Sequence, residues 1–135
     1  MTGRYRDGLD FAAPSRNVRA MKPVVEPFDP APLNRLLVLA GPDLAGELQR
    51  RLLADLTAVA DRMAAARQDC ASVQAQCHVL IALAGTAGAT ALHADADQLH
   101  QMALSRDKAG MAALLPKVLR ATLGLTRAIA GVRQP

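Results

Sequence analysis

Residues 70–94 read CASVQAQCHVLIALAGTAGATALHA and contain no Asp, Glu, Lys or Arg. The run is long enough to cross a bilayer. Gln74, Gln76, His78, Thr86, Thr90 and His93 are polar, however, Gly85 and Gly88 interrupt it, and much of the remainder is Ala. Polar side chains at these depths are costly in hydrocarbon and ordinary in a packed helix pair. The run therefore predicts two helices buried against each other, with the chain reversing at Gly85-Thr86-Ala87-Gly88. Asp69 is placed to cap the first of them, in which Val73, Cys77, Leu80 and Ala84 share one face. The second carries Leu92, Ala96, Leu99 and Ala103 at the same spacing.

Working outward, the helical pattern extends in both directions. Asp29-Pro30 supplies an N-cap and a first-turn proline for a short helix with Leu33, Leu36, Leu37 and Ala40 inward, closed by Gly41-Pro42. Pro42 opens a long helix to about Arg67, with Asp43 and Glu47 at its positive end and Leu44, Leu48, Leu52, Leu56, Val59 and Met63 inward. A last helix begins near Asp107 and turns Met111, Leu114, Leu115, Val118, Thr122, Leu125 and Ile129 to the core, with Pro116 expected to kink it. The predicted fold is all-α: an antiparallel up-and-down four-helix bundle with a short additional N-terminal helix.

Composition agrees. Of 135 residues 28 are Ala and 20 Leu, against two Phe, one Tyr and no Trp, which favours helices and disfavours a β-sandwich or barrel. Residues 1–22 hold five basic and two acidic side chains, so most of the net charge of +4 belongs to the start of the chain. With six of the eight prolines between Pro14 and Pro42 and no helical period, residues 1–28 read as a basic, flexible arm, and residues 29–135 as the bundle. Arg4, Arg6, Arg16, Arg19 and Lys22 read first as a solvated tail, and second as a means of steering toward an acidic partner or duplex nucleic acid. The scarcity of aromatic platforms argues against single-stranded nucleic acid as a partner. MTGRYRDGLD has no apolar core of a secretory signal, and Cys70 and Cys77 are ill spaced for a disulfide, so a reduced, cytoplasmic protein without a membrane span is expected.

His78 stands apart from the core. On a wheel at about 100° per residue with Val73 at zero, Cys77, Leu80 and Ala84 fall within about 40°, whereas His78 falls near 140°. On that side its neighbours are Ala71, Gln74, Ile81, Ala82 and Gly85, small or apolar where Glu and Lys are usual. A smooth exposed patch around one histidine suggests docking, although a plain solvated histidine has the same pattern. His93, Asp97 and His100 lie on one face of the next helix, a spacing that fits either a metal or simply a polar face. Gly85 and Gly88 read as turn glycines, since no strand precedes them and no Lys-Ser/Thr follows. Cys77, on the core face, reads as a buried apolar residue.

Residues 78–89, HVLIALAGTAGA, followed by Leu92, Ala96 and Leu99, resemble the signature of histidine-containing phosphotransfer domains, His-x-Leu-Lys-Gly-Ser-Ala with a later Gly-Ala and spaced Leu, Ala and Leu. The resemblance covers roughly residues 29–131. It implies a four-helix bundle whose exposed histidine, here His78, accepts a phosphoryl group from the aspartyl phosphate of a response-regulator receiver domain and passes it to another. A hybrid histidine kinase is a further implied partner. The chain is then a monomeric phosphocarrier without autonomous catalysis and without a cofactor of its own, because the Mg²⁺ belongs to the receiver.

The chemistry suits this reading. Imidazole is largely neutral at pH 7 and attacks phosphorus without a strong auxiliary base, while phosphoryl transfer depends mainly on positioning and charge neutralisation. Ala82 and Gly85 leave room for a receiver helix, and Gln74, one turn before His78, can hydrogen-bond the ring or a phosphoryl oxygen. The chain departs from the family pattern at Ile81, where the family has Lys, at Ala82 for Gly and at Leu83 for Ser. The missing cation leaves two readings: a working relay that draws its cation from the partner or from Arg67, or a degenerate module that binds receivers or kinases without relaying.

Overall fold

In a computed structural model, which describes residues 18, 20–24 and 26–133, the chain is all-helical, with five helices and no strand among those residues. They are α1 (Ala31–Ala40), α2 (Ala45–Ala66), α3 (Cys70–Ala87), α4 (Thr90–Leu104) and α5 (Lys108–Ala130). The connections are two to four residues long, so each helix packs first on its chain neighbour. The tightest pair is α3 with α4; α2 packs on α3 and on α5, α4 on α5, and α1 on α2 and α3. This is a helical bundle around one core, in which Leu33, Leu37, Leu56, Met63, Leu80, Leu92, Leu99, Met111 and Ile129 are fully buried.

The faces follow the apolar spacing. Val73, Cys77, Leu80 and Ala84 of α3 are buried as expected, joined by Ala87, and Leu92, Ala96, Leu99 and Ala103 of α4 are buried as expected. Leu52, Leu56, Val59 and Met63 of α2 face inward, but Leu44 is 55 % exposed and Leu48 half-buried. Residues 42–44 form a turn, and α2 starts only at Ala45, so Leu44 precedes the stripe it was assigned to. In α5 Met111, Val118, Thr122, Leu125 and Ile129 are buried, while Leu114 and Leu115 are half-buried. Leu119, Ala121, Leu123 and Gly124 are buried as well, so the C-terminal half of α5 is enclosed almost all round.

Helix ends are set by specific residues. Asp29 Oδ1 accepts from the Ala31 N–H at 3.0 Å, and Asp107 Oδ1 from the Gly110 N–H at 2.9 Å. Asp69 stands before α3 but accepts from the Ser72 hydroxyl at 2.7 Å instead of from a backbone N–H. The α3 helix does not stop at Gly85 as the sequence suggested; it continues to Ala87 and ends where Gly88 takes φ +81°. The Ala89 N–H then reaches the Ala84 carbonyl at 2.9 Å, closing the helix end. Glycine is required at 88 twice over, by the left-handed φ and because a Cβ there would collide with the Asp29 carbonyl; the Gly88 carbonyl accepts from the Asp29 N–H at 3.2 Å.

The arm is less free than its composition implies. Val18 has no exposed surface and belongs to the core, Met21 and Phe28 pack against it, and the Val24 N–H donates to the Arg120 carbonyl of α5 at 3.0 Å. In this described part of residues 1–28, three apolar side chains and a backbone hydrogen bond find partners on the bundle. Arg4, Arg6, Arg16 and Arg19 lie outside the described residues.

Candidate functional site

The α3 helix runs from the capping region at Asp69 to Gly88, and His78 sits at its middle, exposed on the side away from the core. Its position follows from the sequence one residue earlier. Cys77 is fully buried, and a helical step of about 100° carries the next side chain off the core face. Burial pushes the Cys77 thiol up to about 12. It is therefore a protonated, apolar strut beneath the histidine and not a nucleophile at neutral pH.

Around His78 the exposed residues of α3 are Ala71, Ala75, Val79, Ala82, Gly85 and Thr86. Val79 is 43 % exposed, a branched apolar side chain in solvent next to the histidine. The helix carries no charged residue, so the whole face is smooth and neutral. Ala75 and Val79 were missed by the sequence reading, which placed the patch between about 80° and 180° on the wheel. The exposed arc is centred opposite the core stripe, with half-buried residues on both flanks of it.

One flank holds two of the predicted site residues. Ile81 is half-buried and packs against the core, so it is not the exposed residue the sequence suggested. Gln74 is also half-buried, and its Nε2 donates to the Ala103 carbonyl of α4 at 3.4 Å. Its donor is thereby turned toward α4, with the carbonyl oxygen of the amide still open to other partners. Ala82 and Gly85 are exposed, as expected. Gly85 lies beneath the His93 ring: a Cβ there would stand 3.6 Å from His93 Cδ2.

Arg67 stands at the far end of the α2–α3 turn from His78. It ends α2 with φ +53°, and residues 70–78 of α3 place it more than about 12 Å along the axis from His78. Among the described residues no three of His, Cys, Asp or Glu converge in a metal-binding group, so His93, Asp97 and His100 form a polar flank of α4. Asp95, on the other flank, pairs with Lys117 of α5 at 3.2 Å. No side-chain hydrogen bond or ion pair joins His78, His93 or His100 to another described residue.

One helix among the described residues, Cys70–Ala87, is long and apolar enough to cross a membrane, with mean hydropathy 1.2. In the fold it is the helix that packs most closely on α4 and carries His78. A depression of about 460 Å³ is lined by Gly46, Gln49, Arg50, Leu53, Ala130, Val132 and Arg133, and includes none of the residues around His78.

Comparison with family models, with curated proteins and with solved structures finds no match to this chain.

Proposed function

We propose that this chain is a histidine phosphotransfer protein of a two-component relay, with His78 the residue that carries the phosphoryl group. In this reading α2 to α5 form an antiparallel up-and-down four-helix bundle with α1 across one end. The chain works in the cytoplasm as a monomer, and its partners are receiver domains of response regulators, or of a hybrid histidine kinase. The observation that carries the proposal is the exposure of His78 at mid-helix, without a hydrogen-bond partner among the described residues, on a face made of Ala71, Ala75, Ala82 and Gly85 and free of charge. The resemblance of residues 78–89 to the phosphotransfer signature supports it.

The step asks little of the bundle. A lone pair of the unprotonated ring nitrogen forms the N–P bond while the P–O bond of the receiver's aspartyl phosphate breaks and the carboxylate leaves with the electron pair. Small side chains let the receiver's acidic pocket close over the ring, so that attacking and leaving atoms fall in line. The receiver supplies Mg²⁺, and this chain supplies the position of one imidazole.

The test is a transfer assay with a receiver domain radiolabelled at its aspartate. The expected result is an acid-labile, base-stable label on this chain that is lost in both His78→Ala and His78→Gln and kept in His93→Ala. Absence of label with cognate receivers would overturn the relay. A second reading, a degenerate module that binds receivers or kinases without relaying, is favoured by Ile81, which stands half-buried where the family has its cation. It predicts binding that survives His78→Ala and is broken by Ala82→Arg, with no label formed.

A further inference from the structure

The two contacts that join α3 to α4 fix how the pair is aligned. His93 of α4 lies against Gly85, 3.6 Å from where a Cβ would be, and Gln74 Nε2 reaches the Ala103 carbonyl at 3.4 Å. Partners further back in α3 therefore lie further forward in α4, and the two helices run in opposite directions. Seven residues before Gly85 is His78, and seven residues after His93 is His100. Seven residues are two helical turns, about 10.5 Å of rise with only about 20° of rotation. His100 consequently stands to His78 as His93 stands to Gly85, one helix across at the same level.

The side of α4 is fixed as well. Leu99 points into the core, and Asp95 on the far flank is held by Lys117 of α5, which leaves His93 and His100 on the flank toward α3. His100 is half-buried there, and its side chain makes no hydrogen bond with another described residue. The α3 side offers no cation, since residues 70–87 contain no Lys or Arg and Ile81 fills the place one turn beyond His78.

We infer that His100 binds the phosphoryl group carried by His78, supplying the donor that Ile81 lacks. The inference rests on the relay reading. Transfer leaves a dianionic phosphoryl group on the His78 ring beside an uncharged helix. The His100 ring donates an N–H to one phosphoryl oxygen; no bond of His100 breaks, and its proton stays on the ring. A charge-assisted hydrogen bond of this kind exceeds a neutral one by roughly twofold in strength. The charged and titratable groups around it are few. The α3 helix brings only His78 and the buried Cys77, α5 brings Lys117, already paired with Asp95, and α4 itself brings Asp97 and His93.

The test uses the full chain and phosphoramidate, which phosphorylates histidine directly and needs no receiver. His100→Ala is expected to lower the yield or lifetime of phospho-His78 on the order of tenfold near pH 6. The same comparison is made at pH 8.5. His100→Gln, which keeps a donor, should restore part of the loss, whereas a purely structural role would not. In the unphosphorylated protein His100→Ala should move the His78 ring signals in NMR spectra, and His93→Ala should not. Equal yield and lifetime in wild type and His100→Ala across that pH range would overturn the inference while leaving the relay standing. No phospho-His78 in the wild type would overturn both.

Discussion

At the scale of single residues, the chemistry is decided by which of two adjacent side chains is buried. Cys77 is enclosed and its thiol is pushed from 9.0 up to about 12, while His78 is in solvent. Below pH 9 both folded and unfolded chains hold the thiol proton. Between pH 9 and 12 the unfolded chain releases it and the folded chain does not, so Cys77 makes stability fall as pH rises through that window. Urea unfolding at pH 7 and pH 10 should show a drop in the wild type that is smaller in Cys77→Ala. A thiol reagent should modify the half-buried Cys70 in the native protein and reach Cys77 only in denaturant. Ile81→Lys is the converse experiment. The lysine stem can cover the same apolar surface while its head reaches water, at a cost of about 1 kcal/mol, and if the relay reading holds it should speed phosphotransfer. Ile81 was legible in the sequence as a departure from the family pattern; that it is packed on the core was not, because a single-helix wheel does not include α4.

At the scale of elements, turns and caps hold the site in place. Gly88 combines a left-handed backbone with close approach to the Asp29 carbonyl, so Gly88→Ala should destabilise the fold by more than the roughly 1–2 kcal/mol of a strained backbone alone. The midpoint of urea denaturation reads this directly. Asp107→Ala should cost about 1 kcal/mol through loss of the bond to the Gly110 N–H. Gly85 is the opposite case. It lies inside α3, the space above it is ordinary van der Waals distance from His93, and Gly85→Ala should stabilise the helix by up to about 1 kcal/mol. The sequence treated Gly85 and Gly88 as one break. Only Gly88 has a positive φ, and the distinction depends on where the chain must turn to bring α4 back along α3 and to meet α1.

At the scale of the whole molecule, the bundle separates its core from an exposed face without charge. Leu80→Ala, in the core, should cost about 2–5 kcal/mol, whereas Ala82→Arg, two residues away and exposed, should leave thermal unfolding unchanged and, on the proposed relay reading, abolish receiver binding. Deleting residues 1–22 removes the buried Val18, and should lower stability by about 1.5–3 kcal/mol in chemical denaturation.

The sequence by itself determined the all-helical class, the buried faces of α3 and α4 and the outward position of His78, because a repeat of apolar residues at three and four records one helix's own orientation. The tertiary structure alone decided what lies beside that histidine. Gln74 reaches the Ala103 carbonyl of α4 and Gly85 lies against His93, and these two contacts set the register that brings His100 level with His78. Those relations arise between helices, through the register at which two surfaces interlock, and the spacing along one chain segment carries no record of it.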